Sequence, residues 1–178
     1  MKKRFAFVGA AVIALAIFVP AAAGTAPNNE PATYEFHLEV PNTAMAPNGD
    51  TVAVTGTGTF GVHPKSVSGG GAFTHTLASG DTLTGTWTAT KLLSFQPYGC
   101  GVVFGTPLPE NLCGGRLLMR VTLVPDADPS LSFQGRLWIY CLIGAPPASA
   151  NEGVRLSVPG VINFNTVVGG ENVYIKTS

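Results

Sequence analysis

Side chains alternate between polar and apolar over residues 82–95, and this alternation constrains the fold more than any other feature of the sequence. Threonine stands at every even position from Thr82 to Thr90, while odd positions carry apolar side chains such as Leu83 and Trp87. Only extended backbone sends successive side chains to opposite faces. The segment therefore predicts a β-strand with a threonine face towards water and an apolar face towards a core.

Two segments before this strand show the same alternation. Residues 51–62 and 67–77 predict a hairpin, because the linker at 63–66 contains a proline, which presets the backbone angle of a turn. The polar, glycine-containing stretch 78–81 predicts a second turn that leads into 82–95. The three strands are expected to form an antiparallel meander.

Shorter runs with strand character cover much of the remaining sequence, and no segment after residue 23 has a helical period. The further predicted strands are 34–40, 116–123, 131–143, 154–158, 161–165 and 172–177. Short strands separated by Gly, Pro and Asn are typical of sandwiches and small barrels. We therefore predict a single all-β antiparallel domain over residues 33–178.

Glycines recur at core-facing positions of the predicted strands. They stand at positions 56, 58, 69, 71 and 85. Glycine inside a strand marks a bulge, a tight bend or a close approach of another backbone. A sheet that closes on itself needs such bends at neighbouring positions of adjacent strands. The pattern therefore favours a small β-barrel, with a β-sandwich as the alternative.

The N-terminal segment has the three parts of a secretory signal peptide. A basic start at 2–4 precedes an apolar run at 5–19, and the small residues 21–23 provide a cleavage site before Gly24. An uncleaved anchor is the alternative, but the run is shorter than the roughly 20 residues that span a bilayer. We predict a signal peptide at 1–23, a flexible mature N-terminus at 24–32, and a secreted or periplasmic (cell-envelope) location without a membrane span in the mature chain.

The composition excludes some partners. Only 11% of the residues are charged and 46% are hydrophobic, which favours a packed core over disorder. The formal net charge is zero, and without the basic residues at 2–4 the chain is slightly acidic. It therefore lacks the overall basic character of a nucleic-acid-binding protein. No sequence pattern predicts a cofactor.

The chain has three cysteines, Cys100, Cys113 and Cys141. If the chain is exported to an oxidising compartment, two of them are expected to pair. Cys100 and Cys113 bracket a segment rich in Gly and Pro, so we predict a disulfide between them and a buried thiol at Cys141. Pairing of Cys141 with either of the other two is the alternative.

No catalytic constellation stands out in the sequence. There is no nucleophile elbow of the Gly-x-Ser-x-Gly type, and no spacing of His and Cys that is typical of a metal site. We predict neither a catalytic group nor a bound metal.

The candidate ligand-binding residues are His75, Trp87, Phe95 and Tyr98. Strand parity directs His75 inward, where it would be a polar group in an apolar interior. Phe95 lies just before the region 96–115 and Tyr98 lies within it, and we predict this region to be a long loop of the kind that often carries function.

These features support a first hypothesis of non-enzymatic binding of a small apolar ligand or a surface partner. A barrel-type enzyme with an interior pocket near His75 and a purely structural surface module are the alternatives.

Overall fold

The computed structural model describes residues 31–178, which form antiparallel β-strands without a helix in that range. The strands are β1 (Thr33–Met45), β2 (Thr51–Gly61), β3 (Ser66–Thr76), β4 (Thr82–Cys100), β5 (Val102–Val103), β6 (Thr106–Pro107), β7 (Leu112–Pro125), β8 (Phe133–Cys141), β9 (Gly153–Val158), β10 (Ile162–Phe164), β11 (Thr166–Gly169) and β12 (Asn172–Lys176). The predicted all-β antiparallel fold is confirmed. The predicted signal peptide at 1–23 and most of the 24–32 segment lie outside the described residues.

The predicted meander is present. β2 and β3 pair from Thr51 opposite Thr76 to Gly61 opposite Ser66, so the turn lies at 62–65. β3 and β4 then pair from Thr76 opposite Thr82 to Gly70 opposite Thr88. The alternation in the sequence therefore located these strands to within a residue or two, except that β4 continues beyond 95.

The strand pairings return to their starting point. β4 pairs with β7 from Gly85 opposite Pro125 to Cys100 opposite Cys113. The first two residues of β7 also pair with β12, and β12 pairs with β1. The pairings therefore run in a closed circuit through β1, β2, β3, β4, β7 and β12. β8, β9 and β10 continue the sheet from the remainder of β7, and β11 pairs with the end of β1.

Glycines in β2, β3 and β4 make room for aromatic rings inside the sheet. A Cβ atom on Gly58 would lie 2.7 Å from Cε1 of Phe36, and one on Gly56 would lie 2.6 Å from Cζ2 of Trp87. A Cβ atom on Gly85 would lie 2.6 Å from Cε1 of Phe73. The rings occupy the space that side chains would fill at these positions, as expected for a tightly packed interior.

The region 96–115 is not the long loop that we predicted. β4 extends to Cys100 and β7 begins at Leu112, so only 101–111 lies between them, and it contains the short pair β5–β6. The prediction was wrong because Pro97 and several glycines interrupt the alternation, and a register shift between Pro97 and Gly99 moves side chains to new faces.

The predicted disulfide between Cys100 and Cys113 is present, and Cys141 is a free, buried cysteine. Cys100 and Cys113 stand directly opposite each other at one end of the β4–β7 ladder. The bond therefore joins two paired strands and closes the loop 101–112 covalently.

The packing around Gly58 generates a prediction about stability. Replacing Gly58 by Ala should lower the free energy of unfolding by about 1–3 kcal/mol, because the new methyl group overlaps the Phe36 ring and the backbone of Gly69. Chemical denaturation measures this change. Gly169→Ala is the matched control, since no atom lies within 4 Å of a Cβ at that position. Equal stability of the two variants would contradict the claim that Gly58 makes room for the Phe36 ring.

Candidate functional site

An apolar pocket of about 110 Å³ opens at the end of the sheet where β3 ends and β4 begins. Its walls come from seven strands and the turn before β10. The lining residues are Val52, Phe73, His75, Leu83, Leu123, Pro125, Phe133, Leu156, Val158, Val161, Ile162 and Phe164. Eleven of the twelve are apolar, and His75 carries the one polar side chain in the lining. An apolar cavity with a single polar group is the usual form of a small-molecule site.

The floor and the rim of the pocket differ in exposure. Phe73, Leu123 and Leu156 form the floor and are buried. On the rim, Leu83 is 38% exposed and Val161 is 64% exposed. Large apolar side chains that remain in contact with water around a concave surface are typical of a binding site.

His75 is positioned by an acidic residue and by an aromatic ring. Its Nε2 lies 3.0 Å from Oδ2 of Asp50, and its ring meets that of Phe164 edge-on, with the centroids 5.1 Å apart. The other carboxyl oxygen of Asp50 accepts a hydrogen bond of 2.9 Å from the backbone N–H of Ala78. The inward direction predicted for His75 therefore places it in the pocket lining, in a fixed orientation.

Asp50 is an ionised partner for His75. The hydrogen bonds from Ala78 and His75 lower the pKa of Asp50 below its ordinary value of 3.8. A carboxylate has no proton to donate, so Nε2 of His75 is the donor in this contact, and Nδ1 is an acceptor while the ring is neutral. The sequence patterns did not single out Asp50, which is only 6% exposed.

Trp87 lies beneath the pocket and not in its lining. Its ring is buried, its Nε1 donates to the carbonyl of Thr55 at 2.9 Å, and it packs against Phe36. Phe73 and Leu123, two residues of the pocket floor, also pack around Trp87. The ring therefore supports the floor from below.

Phe95 and Tyr98 lie away from the pocket. Phe95 belongs to an aromatic cluster with Tyr34, Phe60 and Tyr174, whose ring centroids lie 4.8–5.5 Å from that of Phe95. Tyr98 lines a separate, polar groove with Arg116. The four ligand-binding candidates from the sequence therefore do not converge on one site, and only His75 lines the apolar pocket.

The remaining titratable groups do not assemble a metal centre. Within residues 31–178, no group of three or more His, Cys, Asp and Glu side chains is arranged to hold an ion. On an outer face of the sheet, Nε2 of His37 lies 3.5 Å from Oε2 of Glu35. Burial raises the pKa of Cys141 to about 12, so its thiol stays protonated and donates weakly to the carbonyl of Cys113.

Glu152 is a second acidic residue that the sequence patterns did not single out. The two carboxyl oxygens accept hydrogen bonds from the backbone N–H groups of Leu142, at 2.6 Å, and Asn172, at 2.8 Å. The Asn172 side chain in turn donates to Asn42 and to the carbonyl of Tyr140. Glu152 therefore ties the end of β8 to the start of β12.

Comparison with known proteins gives no relative. No protein-family model, curated protein or solved structure matches the chain. Among residues 31–178, no helix is long and apolar enough to cross a bilayer. The pocket and the surface of this chain are therefore the features that bear on its function.

The burial of Glu152 generates a prediction about pH. Desolvation raises its pKa from 4.5 to about 7, against the opposing effect of the two backbone N–H groups. The folded chain therefore keeps a proton that the unfolded chain releases between pH 4.5 and 7, so the contribution of this group to stability decreases as the pH rises through that window. Glu152→Gln should remove this part of the pH dependence in denaturant titrations.

Glu110→Gln, at an exposed carboxyl, is the control and should leave the pH dependence of the wild type unchanged. An identical slope in the wild type and in Glu152→Gln between pH 4.5 and 7 would contradict the assignment.

Proposed function

We propose that this protein binds a small apolar ligand in the pocket beside His75, without catalysing a reaction on it. The observation that carries the proposal is the lining of the pocket, in which eleven apolar residues surround one oriented imidazole. Apolar cavities of about 150 Å³ stay dry and accept benzene. A pocket of about 110 Å³ that opens to solvent fits one aromatic ring or a short alkyl chain, with the rest of the ligand outside.

The ligand chemistry follows from the rim. Water around Leu83, Phe133 and Val161 is released when an apolar group covers them, at roughly 25 cal/mol for each Å² removed from water. His75 is within the lining and is held by Asp50, so a hydroxyl or another polar group on the ligand has one partner of fixed position. The proposed ligand is therefore an amphiphile with one apolar end and one polar group.

The barrel-type enzyme is a weaker proposal for the same pocket. The pairing of His75 with Asp50 would suit a general base, which needs an oriented imidazole. A nucleophilic hydroxyl or thiol, however, is missing among the lining residues of the described chain. A purely structural role is the weakest of the three proposals, because a structural domain gains nothing from exposed apolar side chains around a cavity.

The closed circuit of strand pairings and the charge pattern of the N-terminus support two further parts of the proposal. We infer that the sheet is a small β-barrel, with the pocket at one mouth, since its pairings close on themselves. The signal-peptide pattern at 1–23, together with a disulfide compatible with an oxidising space, supports export to the periplasm, the cell envelope or the exterior.

Binding is tested with 1-hexanol and p-cresol titrated into the full chain and followed by NMR chemical shifts. Both should bind saturably and shift the resonances of Phe73, His75 and Leu156. 1,2,6-Hexanetriol should bind at least about tenfold more weakly, because its hydroxyl groups lose water in an apolar pocket.

Paired variants locate the site. Leu83→Asp places a charge on the rim and should weaken 1-hexanol binding about tenfold or more. Val168→Asp makes the same change at a residue that is 58% exposed in β11, away from the pocket, and should leave the affinity within about twofold. Absence of saturable binding, or an equal loss in both variants, would overturn the proposal.

Export is tested by expression in a host with a Sec pathway, followed by mass spectrometry. We expect a product outside the cytoplasm that begins at Gly24, with one free thiol, that of Cys141. An intact chain retained in the cytoplasm with three free thiols would contradict export.

A further inference from the structure

The outer faces of β4, β7, β8 and β9 carry most of the positive charge of the described chain. Residues 31–178 contain seven Lys and Arg residues, and five of them lie on these strands with exposed side chains. They are Lys91, Arg116, Arg120, Arg136 and Arg155. None of the Asp and Glu residues falls within these four strands. We refer to this surface as the basic face.

The strand register brings like charges together on the basic face. Arg120 of β7 stands directly opposite Lys91 of β4 on one side and Arg136 of β8 on the other. Like charges directly opposite each other on neighbouring strands destabilise a sheet. Such a row is therefore not explained by folding stability.

No carboxylate of the described residues forms an ion pair with the row. Within residues 31–178, the ion pairs of the structure are His37 with Glu35 and His75 with Asp50, and neither involves a lysine or an arginine. The described chain as a whole has nine Asp and Glu residues, more than its Lys and Arg. The acids are present but lie outside the basic face, so the face keeps its positive field.

Aromatic rings and amides lie between the cations. Trp138 stands opposite Arg155, and Tyr140 stands opposite Arg116. Both rings are half-buried, and the guanidinium of Arg155 lies over the Tyr140 ring at 5.5 Å from its centroid. A groove of about 380 Å³ runs past these four residues and past Asn163.

A second groove extends the basic face towards the start of β8. It has a volume of about 220 Å³, and Arg120, Gln134 and Arg136 line it. Neighbouring strands lie about 5 Å apart and same-face residues of one strand about 7 Å apart. The cations therefore repeat at intervals that suit a polymer with a charge on successive units.

We propose that the basic face binds an anionic polysaccharide, a glycan with carboxylate or sulfate groups along its chain. The planar guanidinium groups pair with carboxylate and sulfate through two parallel hydrogen bonds. The half-buried rings of Trp138 and Tyr140 offer flat apolar surfaces to sugar rings, and side chains such as Asn163 and Gln134 serve sugar hydroxyls.

A membrane surface fits the basic face less well. A protein that binds anionic lipid usually adds apolar side chains that enter the bilayer. The exposed large apolar residues of strands β4 and β8, Leu83 and Phe133, line the pocket instead of the basic face. None of the five cations of the basic face lines the pocket, so failure of one proposal leaves the other standing.

Binding of the full chain to dextran sulfate and to polygalacturonate, measured by calorimetry, tests the proposal. Both should bind, neutral dextran should not, and the affinity should fall as salt is added. Arg136→Glu should weaken the binding of both glycans about tenfold or more. Arg136→Lys should weaken it less, because a lysine keeps the positive charge but lacks the planar guanidinium that makes two parallel hydrogen bonds. Trp138→Ala should weaken polygalacturonate about fivefold.

Lys176→Glu is the matched control, because it makes the same charge change at an exposed residue of β12, off the basic face. It should alter the affinity less than about twofold. Arg155→Glu replaces Arg136→Glu if that variant fails to fold, which thermal unfolding reveals.

Three results would overturn the proposal. Neutral dextran could bind as tightly as dextran sulfate, or Lys176→Glu could weaken binding as much as Arg136→Glu. Tighter binding of oligothymidylate or of phosphatidylglycerol vesicles than of either glycan would assign the face to a nucleic acid or a membrane instead.

Discussion

The pairing of β7 with β4 is the interaction on which the rest of the structure depends. It joins the N-terminal meander to the strands that follow, and the disulfide secures one end of the ladder. Because side chains of β7 alternate, this strand serves two surfaces at once. Leu123 contributes to the floor of the apolar pocket, while Arg116 and Arg120 point to the basic face. Both proposed binding sites therefore depend on β7 and on its register with the neighbouring strands.

The two ends of the interior are filled differently, and this explains where the pocket lies. At the end near the disulfide, the rings of Tyr34, Phe60, Phe95 and Tyr174 pack together, and the Tyr174 hydroxyl donates to the carbonyl of Ile139. Gly115 of β7 leaves room for this packing, since a Cβ atom there would lie 2.6 Å from Cε2 of Phe95. The other end keeps an open cavity. At this His75 end, aliphatic side chains together with Phe73, Phe133 and Phe164 line the cavity.

Local patterns in the sequence predicted what depends on neighbouring residues. Polar–apolar alternation located β2, β3 and β4, and strand parity directed His75 inward. Asp50 was within reach of the same reasoning, because the predicted hairpin places it at the open end of the strand pair that carries His75. The basic face could not be predicted in this way, because Arg120 and Arg136 meet only through the pairing of β7 with β8. Glu152 was also missed, because its partners at Leu142 and Asn172 come together only in the folded chain.

The central claim is that an apolar, ligand-accessible cavity exists beside His75. Diffraction from a crystal pressurised with xenon tests it most directly, because xenon occupies apolar cavities and is displaced from wet, polar ones. We predict a xenon atom in contact with Phe73, Leu123 and Leu156. A filled interior at this position, with no xenon bound or with ordered water hydrogen-bonded throughout the pocket, would contradict the account.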